Sequence, residues 1–92
     1  MQHSVLFEPE LGQFRVHLES EHYATVKFKI EGGVYHITST RVPDALQGKG
    51  YGKVMMEAVL PKLEELDVKI VPVCSYVVHY LDRHPEWAHL KA

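Results

Sequence analysis

A glycine-rich hexapeptide, Gln47-Gly48-Lys49-Gly50-Tyr51-Gly52, is the segment of this chain best suited to binding a diphosphate. Glycine allows backbone N–H groups to turn toward phosphate oxygens and to approach them closely. A helix predicted to begin at about Tyr51 would present its free N–H groups and its positive dipole end at the same point. Lys49 and Lys53 could add positive charge. A plain glycine-rich turn between a strand and a helix explains the pattern equally well, because short glycine motifs often match by chance.

The same loop does not fit two other phosphate-binding motifs. It lacks the Gly-Lys-Ser/Thr ending of a loop that binds nucleoside triphosphates. It follows the third predicted strand, and no acidic residue ends a second strand of a βαβ unit, so the dinucleotide-binding fingerprint is a poor match.

Cys74 is the only cysteine, so no internal disulfide can form and the sequence does not call for an oxidising compartment. Its thiolate could accept an acyl group, although free cysteine is also among the most frequently buried residue types. A reactive cysteine needs a base or a cation nearby. The sequence offers His36, His79 and His84 for this role without placing them.

A metal site is not expected. His79, His84 and His89 are spaced by five residues, so they would not share one face of a helix, and Pro85 interrupts the segment.

Composition narrows the class of protein. A chain of 92 residues allows one domain spanning 1–92. The net charge of −2 argues against nucleic acid as the main partner, because phosphate binding favours a basic surplus. The first residues do not resemble a signal peptide, and no apolar run is long enough to span a membrane. The expectation is a cytoplasmic protein with no membrane partner.

Three strands are predicted in the first half of the chain. Apolar and polar residues alternate from Phe14 to Leu18 and again from Ala24 to Ile30, which is typical of half-buried strands. Gly32-Gly33 predicts a hairpin turn. A third strand, rich in β-branched and aromatic residues, is predicted from about Val34 to Val42 and ends before Pro43.

The period then changes to that of a helix. Val54, Met55, Ala58, Val59, Leu63 and Leu66 form one stripe between Tyr51 and Leu66. Pro61 is predicted to kink or split this helix, since proline in a regular helix interior costs about 3 kcal/mol.

A fourth strand and a second helix are predicted after Asp67. Lys69 to Cys74 is a short apolar run typical of a buried strand. Ser75 is predicted to cap a helix from about Tyr76 to Arg83, which ends before Pro85. In the tail, Trp87 and Leu90 are expected to pack against the domain.

These elements predict a mixed α/β fold of the α+β kind. The first three strands should form an antiparallel meander, and a βαβα unit should follow. A right-handed βαβ connection would make the third and fourth strands parallel.

The hexapeptide resembles the signature Gln/Arg-x-x-Gly-x-Gly/Ala of the GNAT acetyltransferases. Three further stretches are similar to a small single-domain subgroup of that superfamily: 42–50, 69–76 and 80–86. The resemblance implies a GNAT-like fold and acetyl-CoA, or coenzyme A, as co-substrate. It implies that the pyrophosphate lies at the loop, with the following cofactor-binding residues: Arg41, Val42, Gln47, Gly48, Lys49, Gly50, Tyr51, Gly52 and Lys53.

The resemblance also implies chemical roles for other residues. In this fold two parallel strands splay apart and the acetyl-pantetheine arm enters the gap, which would place Cys74 near the thioester. Pro72 supports a broken ladder there independently, because it lacks an N–H group. Tyr80 would protonate the leaving thiolate as general acid, or it would simply pack against Tyr76. Backbone groups near Arg41 and Val42 would stabilise the oxyanion.

The sequence departs from larger GNAT enzymes between its first two predicted strands. About Leu18 to Tyr23 leaves room only for a turn, where those enzymes carry helices that help to form the acceptor pocket. An open or incomplete acceptor site follows, which argues against a small, tightly held amine and favours a macromolecular acceptor such as a protein amine. The acceptor itself, a protein or a small amine, is left open. Three functions are therefore open: an acetyltransferase, a coenzyme A-binding module without turnover, and an interaction protein that pairs through a sheet edge. The expected state is a monomer or weak homodimer.

Overall fold

The computed structural model describes residues 3–92 as a five-stranded sheet with two α-helices. The strands are β1 (Val5–Glu8), β2 (Gln13–Glu19), β3 (His22–Glu31), β4 (Val34–Arg41) and β5 (Lys69–Pro72). The α-helices are α1 (Tyr51–Glu65) and α2 (Ser75–Arg83), and three short 3-10 helices span Pro9–Leu11, Asp44–Leu46 and Pro85–Leu90. Neither α-helix of these described residues is long and apolar enough to cross a membrane.

The sheet has the mixed topology expected from the sequence. The strands lie in the order β1-β2-β3-β4-β5. The first four pair antiparallel, and β4 pairs parallel with β5 through the crossover that contains α1. β1 was not predicted, because Val5, Leu6 and Phe7 are all apolar and show no alternation. Its register with β2 nevertheless puts Val5 and Phe7 on the core side and leaves Leu6 exposed.

One face of the sheet forms the core. Phe14 and Val16 of β2 and Ala24 and Val26 of β3 are fully buried, which confirms the predicted alternation. Phe28 packs between Phe14 and Tyr35 with tilted rings, whose centroids lie 5.2 and 4.8 Å from its own. Burying a side chain of this size contributes about 1.5–3 kcal/mol to folding. Ile30, on the same face but next to the hairpin, is 47% exposed.

The opposite face of the sheet is polar and open. Its side chains alternate with those of the core and include Arg15, Thr25, Lys27, Lys29 and Arg41. Within residues 3–92, no side chain of this face is buried. Both α-helices therefore pack against the core face of the sheet and leave the opposite face uncovered.

Helix α1 runs without interruption from Tyr51 to Glu65, so the prediction that Pro61 splits it is wrong. Pro61 is exposed, and water can satisfy the carbonyl that loses its N–H partner. The buried arc of α1 is also displaced from the predicted stripe and comprises Met55, Met56, Val59, Leu60 and Leu63. The helix contacts β1, β2 and the C-terminal 3-10 helix together, which requires a broad apolar arc.

The boundary between β5 and α2 differs from the prediction. β5 ends at Pro72 rather than at Cys74, because proline cannot continue the ladder. The helix begins at Ser75 with Cys74 as its N-cap residue, and no side-chain hydrogen bond caps it, so the capping role predicted for Ser75 is wrong.

The C-terminal segment covers the outer edge of β5. Leu90 is buried and Trp87 packs against the core, as expected. Lys91 forms a parallel bridge with Ile70, and the Ala92 N–H donates to the Ile70 carbonyl at 2.9 Å.

Candidate functional site

The glycine-rich loop connects the 3-10 helix Asp44–Leu46 to α1. Gly48 and Gly50 have φ values of +84° and +81°, a left-handed conformation that glycine adopts without strain. Gly50 is the N-cap residue of α1, and no side chain caps the helix. The first N–H groups of α1 are therefore available to an anion from outside the chain.

Gln47 stabilises this loop from within. Its side-chain amide donates to the Val42 carbonyl at 3.0 Å and to Asp44 Oδ1 at 3.2 Å. These contacts hold the two ends of the loop together. Gln47 thus positions the loop, whereas Lys49 and Lys53 are exposed and can reach a ligand.

Tyr51 anchors the start of α1 to the β2–β3 hairpin. Its hydroxyl donates to the Glu19 carboxylate. This hydrogen bond raises the pKa of the Tyr51 hydroxyl, with smaller contributions from burial and from the Glu19 charge. Tyr51 therefore fixes the direction of the helix that begins at the loop.

Gly52 allows the two helices to meet at their N-terminal ends. A Cβ atom at Gly52 would lie 2.6 Å from the Tyr76 hydroxyl oxygen, too close for any real contact. The glycine thus makes room for Tyr76 of α2, and its role in this structure is close packing.

The parallel pair β4–β5 opens beyond Ile37 and Pro72, the last residues in register. The N–H groups of Val73 and Cys74 both donate to the Ile37 carbonyl, at 3.0 and 2.9 Å, where β5 turns away. β4 continues to Arg41 alongside β3 alone, with a bulge opposite Lys27 and Phe28. This gap is the splay expected from the sequence.

Cys74 lies on one side of this gap and Thr40 on the other. The Cys74 Sγ and Thr40 Oγ1 atoms are 3.5 Å apart. Burial raises the pKa of the Cys74 thiol, but hydrogen bonds from the Thr40 side chain and from backbone N–H groups at the start of α2 outweigh it. The net result is a lowered pKa, which favours the nucleophilic thiolate.

Two of the three histidines suggested as partners for Cys74 form contacts elsewhere. His36 pairs with Glu31 at 3.8 Å, and His84 donates from Nδ1 to the Tyr80 carbonyl at 2.8 Å. Within residues 3–92, the thiol is bonded by Thr40 and helix N–H groups rather than by a histidine. The same residues contain no group of three or more possible metal ligands.

Tyr80 is buried and lies on α2, about 9 Å along the helix axis from Cys74 at 1.5 Å per residue. Burial raises the pKa of its hydroxyl, and the charges of Glu57, Tyr76 and Glu86 raise it further. Tyr80 is therefore protonated at neutral pH, as a general acid must be. It stacks on His84 with ring centroids 3.9 Å apart.

A cleft between α1 and α2 lies beside the glycine-rich loop and was not predicted. Its volume is about 230 Å³, and it is lined by Lys53, Tyr76, His79, Tyr80, Arg83 and His84. Two of these side chains are permanent cations, so the cleft suits an anionic group. Arg83 was missed, and His79 was suggested only as a partner for Cys74, because both are brought to Lys53 only by the packing of two helices that are distant in sequence.

We expect a Thr40→Val substitution to slow the reaction of Cys74 with iodoacetamide below neutral pH and to raise the pH at which the rate is half-maximal. The substitution preserves shape but removes a hydrogen bond that lowers the thiol pKa. The lost bond should be worth about 0.5–1.5 kcal/mol, or up to roughly one pH unit.

Thr38→Val is the matched control, because Thr38 lies on the same strand and donates to the Lys27 carbonyl instead. It should leave the alkylation profile unchanged. Identical pH profiles for the Thr40→Val and unmodified proteins would contradict the role given to Thr40.

Comparison with known proteins connects this site to a family. The family model of GCN5-related N-acetyl-transferases matches residues 13–90, which is most of the chain. The fold is also similar to the solution NMR structure of a GCN5-like protein from Staphylococcus aureus, with a TM-score of 0.69 and 22% sequence identity. The match covers 97% of this chain and 87% of that one. No curated protein gives a significant match.

Proposed function

Because the chain belongs to the GCN5-related N-acetyltransferase family, we propose that it transfers an acetyl group from acetyl-CoA to an acceptor amine through Cys74. The family supports acyl transfer in general. The observation that carries the proposal further is the position of Cys74, which lies at the strand gap with a thiol bonded by Thr40 and by helix N–H groups.

The donor pyrophosphate is assigned to the glycine-rich loop. Left-handed Gly48 and Gly50 turn the backbone toward the start of α1, whose N–H groups have no side-chain cap. Lys49 and Lys53 supply positive charge, and Lys53 also lines the cleft between the helices together with Arg83. This run of donors and cations matches a ligand that carries several phosphates.

The thioester is assigned to the gap between β4 and β5. Along Thr38–Arg41, β4 has no partner strand on its β5 side within residues 3–92. Backbone N–H groups near Arg41 and Val42 can therefore donate to the thioester carbonyl and stabilise the oxyanion. Side-chain identity matters little for this role.

The proposed reaction has two steps. The Cys74 thiolate attacks the acetyl carbonyl carbon, so that an S–C bond forms, the thioester bond to coenzyme A breaks, and the leaving thiolate takes a proton. Tyr80, whose hydroxyl is protonated at neutral pH, is the proposed donor of that proton. The acceptor amine then attacks acetyl-Cys74, an N–C bond forms and the S–C bond breaks, so that Cys74 leaves as the thiolate. The proton lost by the amine returns to the Tyr80 oxygen.

A module that binds coenzyme A without turnover is the second candidate. The observation that favours it is the β2–β3 connection, which is only a turn at Ser20 and Glu21. In the described part of the chain, no helix covers the acceptor side at this turn. The two candidates share the donor site and differ in whether Cys74 is acylated.

Release of free coenzyme A from acetyl-CoA separates the two candidates. With a thiol-specific dye, we expect steady release that requires the protein and accelerates when an acceptor amine is added. Hydrolysis of acetyl-Cys74 by water should give slow release even without the acceptor. Tight acetyl-CoA binding with no release at any pH would favour the binding module.

A further inference from the structure

The open face of the sheet contains a second cavity, separate from the cleft between the helices. It has a volume of about 420 Å³ and is lined by Gln13, Thr25, Lys27, Ser39, Thr40 and Arg41. That volume lies within the range of about 300–1,000 Å³ usual for ligand sites.

Two adjacent rows of paired residues form the floor of this cavity. Lys27 lies between Gln13 and Ser39 in one row, and Thr25 lies opposite Arg41 in the next. Diagonal neighbours in such a pair are about 7–8 Å apart. Lys27 and Arg41 therefore present two cations at a spacing suited to separate carboxylates.

The charge of the cavity is not balanced by the protein. None of its six lining residues is acidic. Within residues 3–92, neither Lys27 nor Arg41 forms a salt bridge, whereas Arg15 on the same face is bonded to Glu8 at 2.9 Å. Two unpaired cations on one surface of a chain with net charge −2 indicate an anionic partner.

The cavity is also adjacent to the proposed reaction centre. Thr40 lines it, and the Thr40 hydroxyl lies 3.5 Å from the Cys74 sulfur. The register of Thr40 with Val26 turns the Thr40 side chain to the core face, so the cavity and the thiol lie on opposite sides of β4. Because β4 has no partner strand on its β5 side along 38–41 within residues 3–92, a long lysine side chain of a ligand can pass this edge to reach the thiol. Among the described residues 3–92, no helix covers the face on which the ligand would lie.

We propose that the acceptor amine is carried by an acidic peptide segment, which lies on the open face with its carboxylates at Lys27 and Arg41. This inference rests on the proposed function and names the acceptor class. An extended peptide fits an uncovered sheet face, and paired cations fit carboxylate side chains near the reacting lysine.

Nucleic acid fits this face less well. Single-stranded nucleic acid is held by a basic groove combined with aromatic side chains on which bases stack. The cavity is lined by no aromatic residue.

The test uses three short peptides with one central lysine and with acidic, neutral or basic flanking residues, together with an oligothymidine. Binding is measured by fluorescence anisotropy, and lysine acetylation by mass spectrometry after addition of acetyl-CoA. We expect the acidic peptide to bind roughly tenfold more tightly than the neutral one, with the basic peptide weakest. Acetylation should follow the same order, and rising salt should weaken the preference.

Lys27→Glu should abolish the preference for the acidic peptide. Lys29→Glu is the matched control, because Lys29 is exposed on the same strand and face but does not line the cavity. It should reduce the preference by no more than about threefold. Melting curves of both variants establish that they are folded.

Several results would overturn the inference. These are equal affinity for the acidic and neutral peptides, tighter binding of the oligothymidine, or an equal loss in Lys27→Glu and Lys29→Glu. Acetyl-CoA binding by the unmodified protein, measured in parallel, distinguishes the two failures. If the unmodified protein does not bind acetyl-CoA, the proposed function is wrong. If it binds acetyl-CoA but shows no preference among the peptides, only the acidic acceptor is wrong.

Discussion

Replacing Cys74 with serine should abolish incorporation of an acetyl group into the protein and should lower coenzyme A release by at least roughly 100-fold. The hydroxyl of serine stays protonated under conditions in which the lowered pKa of Cys74 supplies a thiolate. Intact-protein mass spectrometry after mixing with acetyl-CoA measures the first effect. The thiol-release assay measures the second.

The substitution has a built-in control for folding. Position 74 is the N-cap of α2, and serine is among the preferred N-cap residues. Cys74→Ser should therefore melt at the same temperature as the unmodified protein or slightly higher. A mass gain or a rate of release that survives in this variant would mean that the amine attacks acetyl-CoA directly.

Replacing Gly50 with valine should weaken acetyl-CoA binding by more than roughly tenfold. Gly50 begins α1 at a φ of +81°, and a β-branched residue there costs about 1–2 kcal/mol. The strain would be relieved by moving the loop away from the conformation that points its N–H groups at the phosphates. Isothermal titration calorimetry measures the dissociation constant.

Gly33→Val separates loss of the site from loss of stability. Gly33 has a φ of +78° in the β3–β4 hairpin, and a Cβ atom meets nothing within 4 Å at either glycine. Both variants should melt about 4–8 °C lower per kcal/mol of strain. Only Gly50→Val should lose affinity. Equal affinities in the two variants would remove the loop from the donor site.

The regular elements could be predicted because their patterns are local. Alternation between Phe14 and Leu18 and between Ala24 and Ile30 gave β2 and β3, and the helical period after Tyr51 gave α1. The missing N–H group of Pro72 predicted a break in the ladder, although the strand itself was predicted to run on to Cys74. β1 was missed because Leu6 is as apolar as its two neighbours although it faces solvent.

The site was only partly predictable, because its contacts join distant parts of the chain. Cys74 could be singled out by type, but its partner Thr40 lies 34 residues earlier and no local pattern connects the two. Tyr76 packs against Gly52, and Arg83 lines the same cleft as Lys53. Each of these pairs also joins residues that are distant in sequence. Alternation places Lys27 on the polar face of its strand, but only the packing of both helices on the other side leaves that face open.

Titration of the isotope-labelled protein with acetyl-CoA, followed by amide chemical shifts, tests the central claim most directly. We expect saturable shifts at Gly48, Gly50 and Lys53 in the loop and at Thr40 and Cys74 in the gap, while the β3–β4 hairpin at Gly33 stays unchanged. Absence of shifts at millimolar acetyl-CoA, or shifts confined to residues outside the loop and the gap, would contradict it.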